Sequence, residues 1–268
     1  MDNETLRKVQ LELLGILEEV DRVCKKNNIQ YFLDSGTLIG AIRHKGFIPW
    51  DDDLDIGMLR ADYEKFNEVA QRDLGKDYYW QTWHTDDEFA LPYGKVRKRH
   101  TVYLEQKGRE LKENGFFIDV LPYDFAPDDE SERDNLKKRQ RNIHRALLMK
   151  AGYRPWIING KVDMKRRIGY LPYQLKTVFS SKKSLIKKYE NLTNGVLSKK
   201  MVYQQLGRKF YPIEWMSDTI LVEFEGEKFP AVSHYHDWLT VAYGDYMTPP
   251  PVEERENMHQ IYKIKFSK

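Results

Sequence analysis

The densest chemistry in this chain lies between Ser35 and Met58, where a glycine turn is followed by the acidic series Asp51-Asp52-Asp53-Leu54-Asp55-Ile56. In an extended strand Asp51, Asp53 and Asp55 share one face while Leu54 and Ile56 point to the other. Neighbouring carboxylates on one face repel unless a cation lies between them, and hard oxygen donors suit Mg²⁺ or Mn²⁺. Just upstream, Ser35-Gly36-Thr37 opens a short helix carrying Leu38, Ile39, Ala41 and Ile42. A helix entered through glycine presents unpaired amides and a positive dipole end, a natural place for a diphosphate. The pairing points to phosphoryl chemistry, with the metal bridging donor phosphates in an in-line displacement.

Such a site needs a third acid. Gly115-Phe116-Phe117-Ile118-Asp119-Val120-Leu121-Pro122 reads as a buried strand with Asp119 near its end, stopped by Pro122. A buried acid is costly unless paired or metal-bound. If this strand lies beside the one bearing Asp53 and Asp55, the three carboxylates converge, and Asp119 serves either as a metal ligand or as the base for the acceptor hydroxyl. Lys95 and Arg97 alternate with Val96, so both fall on one strand face. They suit a donor diphosphate, which Arg can grip bidentately; the ordinary alternative is a salt-bridged strand face. Arg43 and Lys45 stand between the phosphate turn and the aspartates, with the same two readings open.

Other chemistries find less support. His234-Tyr235-His236 with Asp237 resembles a zinc cluster in composition, but residues two apart on a helix face apart and no Cys is near. There is no Gly-X-Ser-X-Gly elbow, and the single cysteine, Cys24, falls on an apolar helix face. Trp80, Trp83, Trp156, Trp215 and Trp238 offer flat faces for a sugar or a choline cation, with core packing as the ordinary use.

The positioning elements follow from periodicity. Leu6 to Asn27 is an amphipathic helix, Ile29 to Leu33 a short strand, and Ala61 to Arg72 a helix with Tyr63, Phe66, Val69 and Ala70 inward. Strands are expected at Tyr78–Thr82, Gly94–Val96, Thr101–Glu105 and Phe116–Val120. This alternation gives an α/β (α+β) core with a mixed sheet. Pro127-Asp128-Asp129-Glu130-Ser131 marks a boundary, with Ser131 as N-cap of a basic helix ending near Gly152, and further helices cover Asp163–Phe179 and Ser184–Leu197. Thr219–Phe224 and Glu227–Val232 form a hairpin around Glu225-Gly226, followed by a helix from Ser233 to Tyr243.

Composition bounds the rest. With 268 residues, 41% hydrophobic and 32% charged, the chain holds one large domain or a domain with an insertion. One cysteine allows no intrachain disulfide, the acidic start lacks the apolar core of a signal peptide, and no apolar run spans a bilayer. A cytoplasmic location is expected. The net charge of +3 conceals an asymmetry: from Arg133 to Lys200, 19 Lys and Arg face three acids, +16 locally, which leaves −13 elsewhere. Either an anionic partner, such as the inner membrane face or a polyanionic glycan, meets this segment, or it is a solvated face.

Ser35-Gly36-Thr37, Arg43-His44-Lys45-Gly46, Trp50-Asp51-Asp52-Asp53-Leu54-Asp55-Ile56, Lys95-Val96-Arg97 and Phe117-Ile118-Asp119-Val120 together resemble the LicD family, of which fukutin-related protein is a eukaryotic relative. The likeness is close from Cys24 to Asp124 and looser from Gly226 to His259. It implies a nucleotidyltransferase-like core over 1–126, a basic, mainly helical insertion over 127–218, and a C-terminal hairpin and helix over 219–268 packing back on the core. The implied activity is transfer of a phospho-alcohol, phosphocholine foremost, from a CDP-alcohol donor to a hydroxyl of a cell-envelope glycan such as lipopolysaccharide or teichoic acid, releasing CMP. On the same resemblance Asp53 and Asp55 match the metal pair and Asp119 the third acid, while Ser35, Gly36, Thr37, Arg43, Lys95 and Arg97 face substrate and phosphates. The acceptor is expected to be lipid-linked and no nucleic acid is involved. A nucleotidyltransferase proper and a cation-dependent glycan-binding protein are the alternatives.

Overall fold

The computed structural model describes residues 1–105, 111–158, 161–207, 209–255 and 261–267. Its first helix, α1 (Asn3–Asn27), buries the expected stripe from Leu6 to Cys24 and starts at Asp2, whose side chain accepts from Thr5 N. Then come β1 (Phe32–Leu33), α2 (Ser35–His44), β2 (Asp55–Leu59), α3 (Arg60–Asp73), β3 (Tyr78–Gln81), β4 (Gly94–Lys98), β5 (Val102–Glu105) and β6 (Phe117–Ala126). The second half holds α4 (Glu130–Lys150), β7 (Ile157–Ile158), β8 (Lys161–Val162), α5 (Met164–Val178), α6 (Lys182–Asn194), β9 (Met201–Gln204) and β10 (Tyr211–Pro212). It ends with α7 (Glu214–Ser217), β11 (Thr219–Phe224), β12 (Glu227–Val232), α8 (Tyr235–Tyr243) and β13 (Ile261–Lys265).

A seven-stranded mixed sheet forms the frame, in the order β1-β2-β6-β4-β3, with β9 also on β6 and β10 on β9. Among the described residues, β2 and β6 form the one parallel pair of this sheet, and its other pairs are antiparallel. Residues at helical and alternating spacing from α1, α2, α3 and the sheet, among them Leu13, Leu17, Ile56, Phe66, Trp80 and Ile118, close one core. The mixed α/β architecture expected from the alternation of elements is the one observed.

Three details differ from the sequence reading. Strand β2 begins only at Asp55, so Asp51–Leu54 are an extended approach outside the ladder. Strand β6 does not stop at Pro122 but runs through it to Ala126. Pairing with β4 ends at Val120 and pairing with β9 starts at Tyr123, so the proline, which cannot donate, falls in the gap between two partners on that side. The basic helix is capped by Asp129, not Ser131: Asp129 Oδ1 accepts from Glu132 N, and the Ser131 hydroxyl donates to the same oxygen.

Within residues 127–218 the helices α4 to α6 end at Asn194, and β9 brings the chain back into the main sheet before the one-turn helix α7. Leu147 on α4 and Leu185 and Ile186 on α6 share a small core of their own, whereas α5 packs on α4 and buries none of its side chains. The hairpin β11–β12 has the expected register around Glu225 and Gly226, both at positive φ as a tight hairpin turn requires. It lies against β1 and α2, and Phe224, Phe229 and Trp238 enter the main core. No helix among the described residues is long and apolar enough to cross a membrane.

Candidate active site

Parallel pairing of β2 with β6 sets Asp55 directly opposite Asp119, and antiparallel pairing of β4 with β6 sets Lys95 opposite Asp119 from the other side. Directly opposed residues point to the same face of a sheet, so these three side chains form a row across three strands. Lys95 Nζ lies 2.7 Å from Asp119 Oδ1 and 3.4 Å above the Phe117 ring. The Tyr93 hydroxyl also bonds to Asp119. Asp53, two residues before Asp55, adds its negative field to both partners. The meeting of Asp55 with Asp119 therefore rests on a register, a stronger constraint than proximity, since a slip of one residue would turn either to the opposite face, whereas Asp53, the remaining acid expected from the sequence, lies before the ladder begins.

Buried like charges raise one another's affinity for protons. Burial, then Asp53, Asp119, Asp34 and Asp51, hold the Asp55 carboxyl well above the ordinary carboxylate range. Asp119 is raised too: burial pushes it up against the opposing Lys95 ammonium, with Glu105 and Asp53 adding to the rise. A proton or a cation relieves such a cluster. Among the described residues no three His, Cys, Asp or Glu groups are gathered into a ready-made ligand set for a metal. The fit to a divalent ion rests instead on donor chemistry: hard carboxylate oxygens on a rigid strand pair, under mutual repulsion that a cation would remove.

The stretch expected from the sequence to face phosphates opens α2. Its N-cap is Asp34, fully buried, with Oδ1 accepting from Ser35 N; the Tyr123 hydroxyl donates to both carboxylate oxygens, 3.1 and 2.9 Å away. Burial lifts the Asp34 carboxyl to about 6, although Tyr123, Ser35 and Gln204 pull the other way. Ser35 has φ +50°, a left-handed conformation uncommon for a residue with a side chain, and its hydroxyl bonds to Tyr243. At Gly36 a Cβ would stand 2.8 Å from Asp51 Oδ2, so glycine lets a carboxylate approach the start of the helix. Thr37 Oγ1 accepts from Asp55 N at 2.9 Å and so ties the helix to the first residue of β2.

The remaining basic candidates are held in different ways. Arg97 donates from Nε to Gln81 Oε1 at 2.5 Å and from Nη1 to Gly115 O at 2.9 Å, an arrangement that braces β4 against its neighbours. Arg43 Nη1 donates to Tyr246 O at 2.6 Å, and burial with nearby Arg255 lowers its pKa. Lys45 is the left-handed C-cap of α2, and its carbonyl accepts from Glu225 N. Arg43 and Lys45 thus join α2 to the C-terminal segment, whereas Lys95 is the base brought to the aspartates. The histidines are occupied individually: His234 Nδ1 is 3.2 Å from Asp237, and His236 Nδ1 is 2.9 Å from the Tyr246 hydroxyl.

Sequence reasoning missed Asp34, Tyr93 and Gln204. Asp34 carried a signal, an N-cap residue immediately before the glycine turn. Tyr93 and Gln204 carried none, because a loop position and a strand 85 residues beyond Asp119 enter the site only through the fold.

The sequence model described as LicD/FKTN/FKRP, nucleotidyltransferase domain, matches residues 28–157. Lipopolysaccharide cholinephosphotransferase LicD of Haemophilus influenzae is 32% identical over 270 residues, covering 97% of this chain and 97% of that protein. Ribitol 5-phosphate transferase FKRP of Homo sapiens is 27% identical over 100 residues, 35% of this chain and 19% of its own length. An uncharacterized protein of Rickettsia typhi is 45% identical over 62 residues, 23% of this chain and 20% of that one.

Proposed function

This chain belongs to the LicD family, and on that premise we propose that it is a transferase moving a phospho-alcohol, phosphocholine foremost, from a CDP-activated donor to a hydroxyl of a cell-envelope glycan. The observation that carries the reading is the row Asp55, Asp119 and Lys95 across three paired strands, with Asp53 alongside and the start of α2 tied to Asp55 by Thr37. Two relatives with different alcohols in their names, choline and ribitol, agree with a common phosphoryl chemistry and a variable alcohol.

In the proposed reaction the acceptor oxygen attacks the phosphorus distal to the nucleoside, and the bond from that phosphorus to the CMP oxygen breaks. Asp53, Asp55 and Asp119 are the residues that would hold Mg²⁺ or Mn²⁺, which supplies charge neutralisation for the diphosphate and the leaving CMP. The start of α2 turns backbone donors and the positive dipole end towards the donor phosphates. Lys95 adds a cation beside Asp119, close enough to exchange the carboxylate for a phosphate oxygen. Burial gives Asp119 a raised proton affinity, which suits it to receive the acceptor's proton when it is not serving as a ligand.

Helix α5 supports a membrane-side acceptor. Met164, Ile168, Leu171, Leu175 and Val178 recur along one stripe and are all exposed, and Phe179 just beyond is 92% exposed. Lys165, Arg166, Arg167 and Lys176 flank them. An apolar stripe edged by bases is the pattern of a helix lying in an anionic lipid interface, where a lipid-linked glycan would be presented.

The test is a screen of CDP-choline, CDP-ethanolamine, CDP-glycerol and CDP-ribitol with a glycan acceptor, with and without Mg²⁺, reading free CMP and acceptor mass. Metal-dependent CMP release with a phospho-alcohol on the acceptor is expected. A nucleotidylated acceptor would make the chain a nucleotidyltransferase, and glycan binding without turnover of any donor would make it a binding protein.

A further inference from the structure

Beside the aspartate row, on the side of α3 and α6, lies a cavity of about 340 Å³. Four of its walls are aromatic: Tyr63, Trp83, Tyr93 and Tyr189. Trp83 and Tyr189 meet edge to face, with ring centroids 5.4 Å apart and planes at 74°, so they form a corner. Two carboxylates, Glu64 and Glu190, also line it, and their side chains keep 52% and 38% of their surface exposed. The bases in the wall are already engaged: Arg60 Nε and Nη2 grip Asp124 at 2.7 and 2.8 Å, its Nη1 meets Glu64 at 2.9 Å and its guanidinium lies 5.0 Å over the Tyr63 ring, while His84 Nε2 is 2.8 Å from Glu190, which leaves Trp83, Tyr93 and Tyr189 as the aromatic walls for a ligand. Tyr93 belongs to both places, as a wall of the cavity and as the phenol bonded to Asp119.

Aromatic faces with negative charge nearby, and no unneutralised arginine, favour a bulky and weakly hydrated cation over an anion or a neutral polyol. The volume is at the small end for ligand pockets and suits a head group better than a nucleotide. We propose that this cavity binds a quaternary ammonium group, and that the group is the alcohol end of the donor, held there while its phosphorus lies at the aspartates. This rests on the phospho-alcohol reading for the identity of the donor, though cation binding itself does not. Tyr93 is the hinge between the two places, so a shift of its ring against the bound cation would be felt at Asp119.

The deciding experiment titrates the intact protein with choline, tetramethylammonium and 3,3-dimethyl-1-butanol, the uncharged isostere of choline, following tryptophan fluorescence and heat. Both cations are expected to bind about tenfold more tightly than the isostere, the size of a desolvated cation–π contact. Trp83→Leu and, separately, Glu64→Gln should each weaken cation binding by about tenfold and lower kcat/KM for CDP-choline relative to CDP-ribitol by a similar factor. Glu64→Gln is the safer variant for folding, because that side chain is half exposed. Equal binding of choline and its isostere, or cation binding indifferent to both substitutions, would overturn the proposal. Turnover of a CDP-polyol without cation binding removes the cavity and spares the transferase reading. Cation binding that depends on Trp83 without turnover of any CDP-alcohol does the reverse.

Discussion

Replacing Lys95 by methionine separates two roles for this side chain and probes the metal proposal without an activity assay. In the folded chain the ammonium is buried 2.7 Å from Asp119, next to a carboxylate row that already repels itself. Methionine keeps the packing over Phe117 but leaves Asp119 uncompensated. Removing one partner of a buried pair costs roughly 3–5 kcal/mol, and because the Asp119 side chain retains 17% of its surface, the lower end, about 3 kcal/mol, applies. At about 2–4 °C per kcal/mol for a chain of this size, the melting temperature should fall by about 6–12 °C. The sign of the pH dependence follows from Asp119, whose folded pKa is raised and would rise further without Lys95. The deficit is then full at high pH and shrinks as pH falls through that raised value, because protonation removes the stranded charge. The double variant Lys95→Met/Asp119→Asn should recover most of the loss, giving a coupling of about 2–3 kcal/mol in a double-mutant cycle. Millimolar Mg²⁺ should raise the melting temperature of Lys95→Met more than that of wild type, since a divalent ion can take the place of the ammonium. Additive single losses, or a melting temperature insensitive to Mg²⁺ in both proteins, would refute the reasoning.

Asp53→Asn and Asp55→Asn should each lower turnover by at least about a hundredfold while leaving the melting temperature equal or higher, because a repelling charge is lost; near-normal CMP release from either variant would count against the assignment. Asp34 in the folded state titrates near 6, against 3.8 when unperturbed, so ionising it costs about 3 kcal/mol above pH 6 and nothing below the unfolded value. Asp34→Asn should therefore gain on wild type in urea unfolding at pH 8 relative to pH 5 by about 1.4 kcal/mol, because about half of that cost is already present at pH 5, while any bond weakened at Tyr123 weighs equally at both pH values; a difference independent of pH would exclude a buried ionisable Asp34. On α5, Arg166→Glu/Arg167→Glu should abolish salt-sensitive binding to phosphatidylglycerol vesicles and Leu175→Ser/Phe179→Ser should weaken it at every ionic strength, with wild-type indifference to the vesicles as the contrary result.

Much of this was legible from residue types and spacing. Periodicity located α1, α2, α3 and the hairpin β11–β12 to within a few residues, because each has an apolar face and a turn or cap of its own. The aspartate row was legible because Asp53, Asp55 and Asp119 are polar residues set into apolar alternation, where burial must be compensated. Two things were not. Pairing partners such as Lys95 with Asp119 depend on strand order, which local pattern does not encode, so Lys95 and Arg97 looked alike although one meets Asp119 and the other braces Gln81 and Gly115. Strand β9 is four residues long and joins the sheet through β6, about 80 residues upstream, so nothing local marked it as part of the sheet.

The extended stretch Asp51–Leu54 shows how the site is held where no ladder reaches. Gln10 Nε2 from α1 donates to Asp51 O at 3.0 Å, the Tyr103 hydroxyl from β5 to Asp52 O at 2.8 Å, and Asp119 N from β6 to Leu54 O at 2.9 Å. Thr37 then receives the Asp55 amide. Four bonds from four different elements fix four of the five residues from Asp51 to Asp55, where a strand would have used one neighbour. An acidic segment of this kind has no intrinsic preference for one conformation, since its charges repel and its apolar residues are few. Its geometry is imposed by the elements around it, and those elements include α2 and the strand that carries Asp119. The spacing between Asp53 and the start of α2 is thus set by the same bonds that set the spacing between Asp55 and Asp119, so a change at Gln10 or Tyr103, neither of them an acid or a base, acts on the chemistry through position alone.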